Sequence, residues 1–96
     1  MDESDKKRDK GKATNIPMLG MVGVLQVERY GREKHGEAGW RNRDKYPPVG
    51  YVDAAFRHLI PLCEDVCSKD PESGIPHAYH FAWNALMVAY SVVVGD

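Results

Sequence analysis

Apolar positions gather into periodic runs only after residue 15. In the opening MDESDKKRDKGKATN the only apolar residues are Met1 and Ala13, so residues 1–15 are expected to form a disordered charged tail. Such a segment buries too little to offset its ordering entropy. Residues 16–96 then make one folded domain. From Pro17, the run MLGMVGVLQVERYG places Met18, Met21, Val22, Leu25 and the stem of Arg29 along one face at helical spacing. This predicts a first helix with Pro17 in its first turn and Gly31 at its end. Gly20 and Gly23 either weaken it or let another backbone come close.

VGYVDAAFRHLIPLCEDVC predicts a second helix with Val52, Ala55, Phe56, Leu59, Leu62, Cys63 and Val66 as its apolar stripe. Pro61 removes a backbone donor inside it and is expected to kink or split it near residue 57. IPHAYHFAWNALMVAYSVVV predicts a third, again with a proline near the first turn. Its apolar face would be Phe81, Ala82, Ala85, Leu86, Val88, Ala89 and Val92. Apart from the ambiguous SVVV, no stretch alternates as a strand does. The expected fold class is all-α, a three-helix chain that completes a helical bundle by oligomerisation, because three such helices leave apolar surface uncovered.

Composition narrows the partners. A formal net charge of -1, with no long block of one sign, excludes the basic footprint of a duplex nucleic-acid binder. Nucleotide-sized ligands stay open. The strongest apolar run, AWNALMVAYSVVV, is broken by Asn84 and too short to span a membrane, and no signal peptide precedes it. A soluble, cytoplasmic protein with no membrane partner is expected. Cys63 and Cys67, four apart, would be neighbours on one helix; two buried reduced thiols are the expectation, since no CxxC pair offers a zinc site.

The chemistry concentrates in two places. His77, His80 and Asn84 follow one another at spacings of three and four, so they share a helix edge about 10 Å long. Glu64, Asp65, Asp70 and Glu72 crowd the short connection before it. If the second and third helices are antiparallel, carboxylates and imidazoles meet there, a donor set suited to magnesium, manganese or zinc. Taken singly, each is equally a surface charge, a turn residue or a half-buried polar contact. The second place is the segment from Gly31 to Pro48, expected as a long loop, with Arg32, Lys34, His35, Trp40, Arg41 and Arg43; it reads as a binding loop or as a solvated connector. Arg57 and His58 could reach a phosphate from the second helix, or Arg57 could pair with Asp53.

YGREKHG at 30–36, then Arg57, His58 and Leu59, then the acidic pair Glu64 and Asp65, then DPESGIPHAYHFAWN at 70–84 together resemble the phage-associated family of dATP/dGTP diphosphohydrolase-like proteins, placed near the MazG-type all-α nucleoside triphosphate pyrophosphohydrolases. The resemblance covers about residues 11–90. It implies an oligomeric helical enzyme that hydrolyses a purine (deoxy)nucleoside triphosphate to monophosphate and pyrophosphate with Mg2+ or Mn2+. Carried onto this chain, it makes Glu64, Asp65 and His77 the catalytic candidates and Glu64, Asp65, Asp70 and His80 the metal candidates. Lys34, His35, Trp40, Arg57, His58 and Asn84 become candidates for substrate, with Trp40 stacking on a base. The EExxE helix of the wider MazG-type enzymes is missing. The alternative is therefore a non-catalytic phage protein that sequesters a nucleotide or cyclic-nucleotide signal.

Overall fold

The computed structural model describes residues 11–95. Among the described residues there are three α-helices: α1 (Met21–His35), α2 (Pro48–Glu64) and α3 (His77–Val94). Among the described residues there is no strand, only an isolated bridge between Lys69 and Pro76. α3 is the central element, packed most extensively on α2 and next on α1. No described helix is long and apolar enough to cross a membrane. Residues 1–10 of the expected tail lie outside the described residues; residues 11–15 are exposed and include a single 3-10 turn, Ala13–Asn15.

Prolines and glycines set the helix ends, though not always where the apolar spacing puts them. A 3-10 turn at Met18–Gly20 follows Pro17, so α1 begins at Met21. It continues through Gly31 to His35, so the first residues of the expected loop are helical. Gly36 stops it, at φ 85°, a conformation glycine adopts without steric cost, and donates its N–H to the Arg32 carbonyl at 3.0 Å. α2 opens on Pro48 and stays continuous through Pro61, which falls in the last turn. The expected split does not occur there, because a proline so near the end deprives only one carbonyl of its helical donor. Pro76 caps α3, and SVVV remains helical to Val94.

The buried faces differ from those the apolar spacing predicts. α1 buries Gly23, Val24 and Val27, while Met18, Met21, Val22 and Leu25 are exposed. On α2, Ala55, Leu59 and Leu62 are half-buried, whereas Val52, Phe56 and Cys63 are exposed and Val66 lies exposed beyond the helix. α3 buries His77, His80, Asn84, Met87 and Ser91, and leaves Ala85, Leu86, Ala89 and Val92 exposed. The reason is plain in α3, which is apolar on nearly every side: hydrophobic spacing selects no face, and the side with polar partners on α2 and the preceding turn goes inward. Ser91 and Asn84 satisfy themselves on the helix backbone, at Met87 O (2.9 Å) and His80 O (2.7 Å).

Gly23 serves the close approach its sequence position allows. A Cβ there would lie 2.6 Å from Cε1 of Tyr79 on α3 and nearer still to other ring atoms, so α1 can sit against α3 only through a glycine. At Gly20 nothing lies within 4 Å. Both cysteines are exposed free thiols, not buried neighbours, and Cys67 falls past the end of α2. The buried hydrophobic side chains among the described residues are Val24, Val27 and Met87, against Leu25 at 63%, Phe56 at 60% and Val92 at 78% exposure.

Candidate functional site

The turn between α2 and α3 is built around Asp70. Its N–H donates to Ile75 O (2.8 Å) and its carbonyl accepts from Gly74 N–H (2.7 Å). Its Oδ2 accepts both the N–H and the hydroxyl of Ser73, at 3.0 and 2.9 Å. Ser73 Oγ also accepts from Ile75 N–H (3.2 Å) and meets His80 Nε2 at 2.8 Å. A hydroxyl has one proton. With that proton given to Asp70, His80 must donate from Nε2, which fixes its neutral tautomer. Burial pushes the Asp70 carboxyl pKa up, but the two Ser73 bonds and the nearby His80 and His58 more than offset this, and it lies below its ordinary value. Oδ1 of Asp70 takes no hydrogen bond among the described residues.

Three imidazoles converge beside this carboxylate. His58, from the middle of α2, places Nδ1 2.8 Å from Nδ1 of His77 and stacks on His80 with ring centroids 4.6 Å apart at 10°. Tyr30 of α1 closes edge-on against His80 at 6.0 Å. Burial lowers the pKa of His58, and charge on His80 and His77 would lower it further; burial also lowers His80, against the pull of Asp70. Both rings are therefore neutral at neutral pH. One ligand atom each from His58, Asp70 and His77 lies within 4.8 Å of the others.

Tyr30, His58, Asp70, His77 and His80 line a cavity of about 450 Å³, within the range of roughly 300–1,000 Å³ of small-molecule sites. All the anticipated substrate residues line it too: Lys34 and His35 from α1, Trp40 from the loop, Arg57 and His58 from α2, Asn84 from α3. Two of its cations are already paired: Arg32 with Glu28 at 3.0 Å, and Lys34 with Glu72 at 2.9 Å. Tyr30 also donates to Glu72, at 3.2 Å. Lys34 and Tyr30 hold the Glu72 carboxyl below its usual range, and Glu72 raises Lys34. Arg57 has no ion pair among the described residues; the pair with Asp53 is not formed. Trp40 is held edge-on by Tyr90 at 5.4 Å, with Arg41 over its ring at 5.2 Å. Arg43 turns instead to Ser91 and Tyr90 on α3.

Glu64 and Asp65 are not brought into this assembly. α2 ends at Glu64, the backbone of Asp65 is extended, and its carboxylate accepts from Cys67 N–H at 2.9 Å; both residues are exposed and outside the cavity lining. Asp70, His77 and His80 do line it. Sequence reasoning misses Ser73, Tyr30, Tyr46, Tyr51 and Trp83. Ser73 and Tyr30 lie inside the DPESG and YGREKHG motifs, and Trp83 follows His80 by three on the inward side of α3. For Tyr46 and Tyr51 the sequence carries no comparable signal.

The family described as "dATP/dGTP diphosphohydrolase, N-terminal" matches residues 2–95. No curated protein and no solved structure matches the chain.

Proposed function

The chain belongs to the dATP/dGTP diphosphohydrolase N-terminal family, and from that premise we propose that its cavity takes a purine (deoxy)nucleoside triphosphate and hydrolyses it to monophosphate and pyrophosphate. The observation that carries the reading is the convergence, in one cavity of nucleotide size, of Lys34, His35, Arg57 and His58 with Trp40 and Asn84. Arg57 is the uncommitted cation for a phosphate, Lys34 becomes available when a phosphate displaces Glu72, and Trp40 offers a ring to a base.

In the reaction, a water oxygen attacks the α-phosphorus in line, the bond to the bridging oxygen breaks, and pyrophosphate leaves with the bonding electrons. The proton lost by the water passes to a base on the protein, for which His80, neutral and with its Nδ1 lone pair unengaged among the described residues, lines the same cavity, while His77 offers its Nδ1 lone pair to a bound cation. The imidazoles and Asp70 have the donor chemistry to hold a divalent transition-metal ion such as Mn2+, while Glu64 and Asp65, exposed and outside the cavity lining, take no part in it. When bound, such an ion offsets triphosphate charge and polarises the attacked phosphorus. The functional unit in this reading is a homo-oligomer, supported by the thin apolar core and the apolar side chains left exposed on all three helices.

The test is incubation with dATP, dGTP and their ribonucleotide counterparts, with and without Mg2+ or Mn2+, and chromatography of the products. Metal-dependent monophosphate and pyrophosphate are expected. Nucleotides bound but recovered intact would favour the sequestering alternative.

A further inference from the structure

The closest polar contact between helices in the cavity joins two imidazole nitrogens, an arrangement with two meanings. Nδ1 of His58 and Nδ1 of His77 are 2.8 Å apart. Either one proton is shared between them, or both present lone pairs to a common electrophile. Two nitrogens bound to one ion at about 2.0–2.1 Å are themselves roughly 3 Å apart when the ligands stand at right angles. The observed spacing is therefore close to that of two adjacent ligands on one ion. The third donor is in place as well. Asp70 has its Oδ2 occupied by Ser73, while Oδ1 is uncommitted, and its ligand atom lies with those of the two histidines inside 4.8 Å.

We propose that His58, Asp70 and His77 form a resident site for a first-row transition-metal ion of the manganese-to-zinc series, distinct from any Mg2+ that arrives on a triphosphate. The site deepens the nucleotide reading and rests on it for the ion's use, while its geometry stands apart from it. Imidazole nitrogen favours Zn2+, Co2+ and their neighbours, whereas Mg2+ is met by oxygen and water; two nitrogens in three donors select against Mg2+. Three protein donors leave positions open on the ion, the hallmark of a reactive rather than a purely structural site. Ser73 and His80 are positioning residues here. Ser73 holds the Asp70 carboxylate through Oδ2 and leaves Oδ1 without a hydrogen bond among the described residues, and His80 locks Ser73 through Nε2 while stacking on His58.

The full chain, stripped with chelator and titrated with Co2+, tests this by visible absorption and calorimetry without reference to turnover. One Co2+ per chain is expected, displaced by Zn2+ and not by millimolar Mg2+. His58→Ala and Asp70→Asn should each weaken Co2+ by at least ~100-fold, the upper end of what losing even an outer partner costs. Ser73→Ala should weaken it less, by about tenfold, and far-UV circular dichroism checks that each variant is folded. Asp70→Asn, near-isosteric, keeps the test open if His58→Ala fails to fold. Wild-type protein with no Co2+ bands overturns the site, as does equal affinity in folded variants. Mg2+-supported hydrolysis without Co2+ or Zn2+ binding would overturn this site and leave the nucleotide reading standing. Binding at these ligands without hydrolysis would support the site and count against the hydrolase reading.

Discussion

At the scale of single residues, the structure separates side chains that sequence alone leaves equivalent. His77 is buried at the head of α3 inside the cavity, while Glu64 is exposed at the tail of α2. His77→Ala is therefore expected to abolish turnover, whereas Glu64→Ala leaves it within about twofold, as an exposed substitution does. Steady-state kinetics on the two variants checks the pair. Arg57→Ala removes the cavity cation that has no ion pair among the described residues, and charged hydrogen bonds to phosphate are worth enough to weaken nucleotide binding about 10- to 100-fold. Calorimetric titration reads it directly.

The Lys34–Glu72 pair makes a pH prediction at the same scale. Glu72 is held below its ordinary value, so its contribution is present above the unfolded carboxylate range and is lost as pH falls through its lowered folded value. Lys34 is raised, so its contribution is lost only as pH rises through its raised value. The strap between α1 and the Asp70 turn thus holds across neutral pH. An NMR titration should find the Glu72 carboxyl midpoint below that of a free glutamate and returning upward in Lys34→Met; an unchanged midpoint in that variant would remove the pair as its cause.

At the scale of elements, punctuation is more legible than faces. Pro48 and Pro76 mark helix starts that the sequence signals with residues of fixed physical consequence, whereas Pro17 and Gly31 do not bound α1, which runs from Met21 to His35 and stops at Gly36; the HxxHxxxN spacing by itself puts three cavity residues on one edge. Which side of each helix turns inward is not legible. Val22 and Leu25 satisfy helical spacing as well as Val24 and Val27 do, and the contact between Gly23 and Tyr79 decides between them. Glu64 and Asp65 lie outside the cavity for a related reason: α2 ends at Glu64 and the backbone of Asp65 is extended. The Gly23 contact supplies the element-scale prediction. Gly23→Ala gains about 1 kcal/mol of helix propensity but forces the Tyr79 ring aside at about 1–3 kcal/mol, a net loss in most of that range. Gly20→Ala, with open space around it, should instead be neutral or stabilise by up to about 1 kcal/mol. Denaturant midpoints of the two variants should move in opposite directions or, at the least, differ clearly.

At the scale of the whole molecule, the chain is inverted relative to an ordinary small domain. Its central helix turns histidine, asparagine and serine inward and leaves leucine and valine outward. The inward polar face lines the cavity, and the outward apolar faces are what support the proposed homo-oligomer. Light scattering is expected to give a mass that is a multiple of one chain, and a strictly monomeric, stably folded protein would refute that part of the account. The most direct test of the central claim, that the cavity is a nucleotide site, uses a feature of the chain itself. It has two tryptophans, Trp40 and Trp83, and both line the cavity. Titration with dATP or dGTP, excited in the tryptophan band, is predicted to change emission saturably at one nucleotide per chain, with the curve shifted to higher concentration in Arg57→Ala. Emission that stays flat for every purine nucleotide, in the presence and absence of divalent metal, would contradict it.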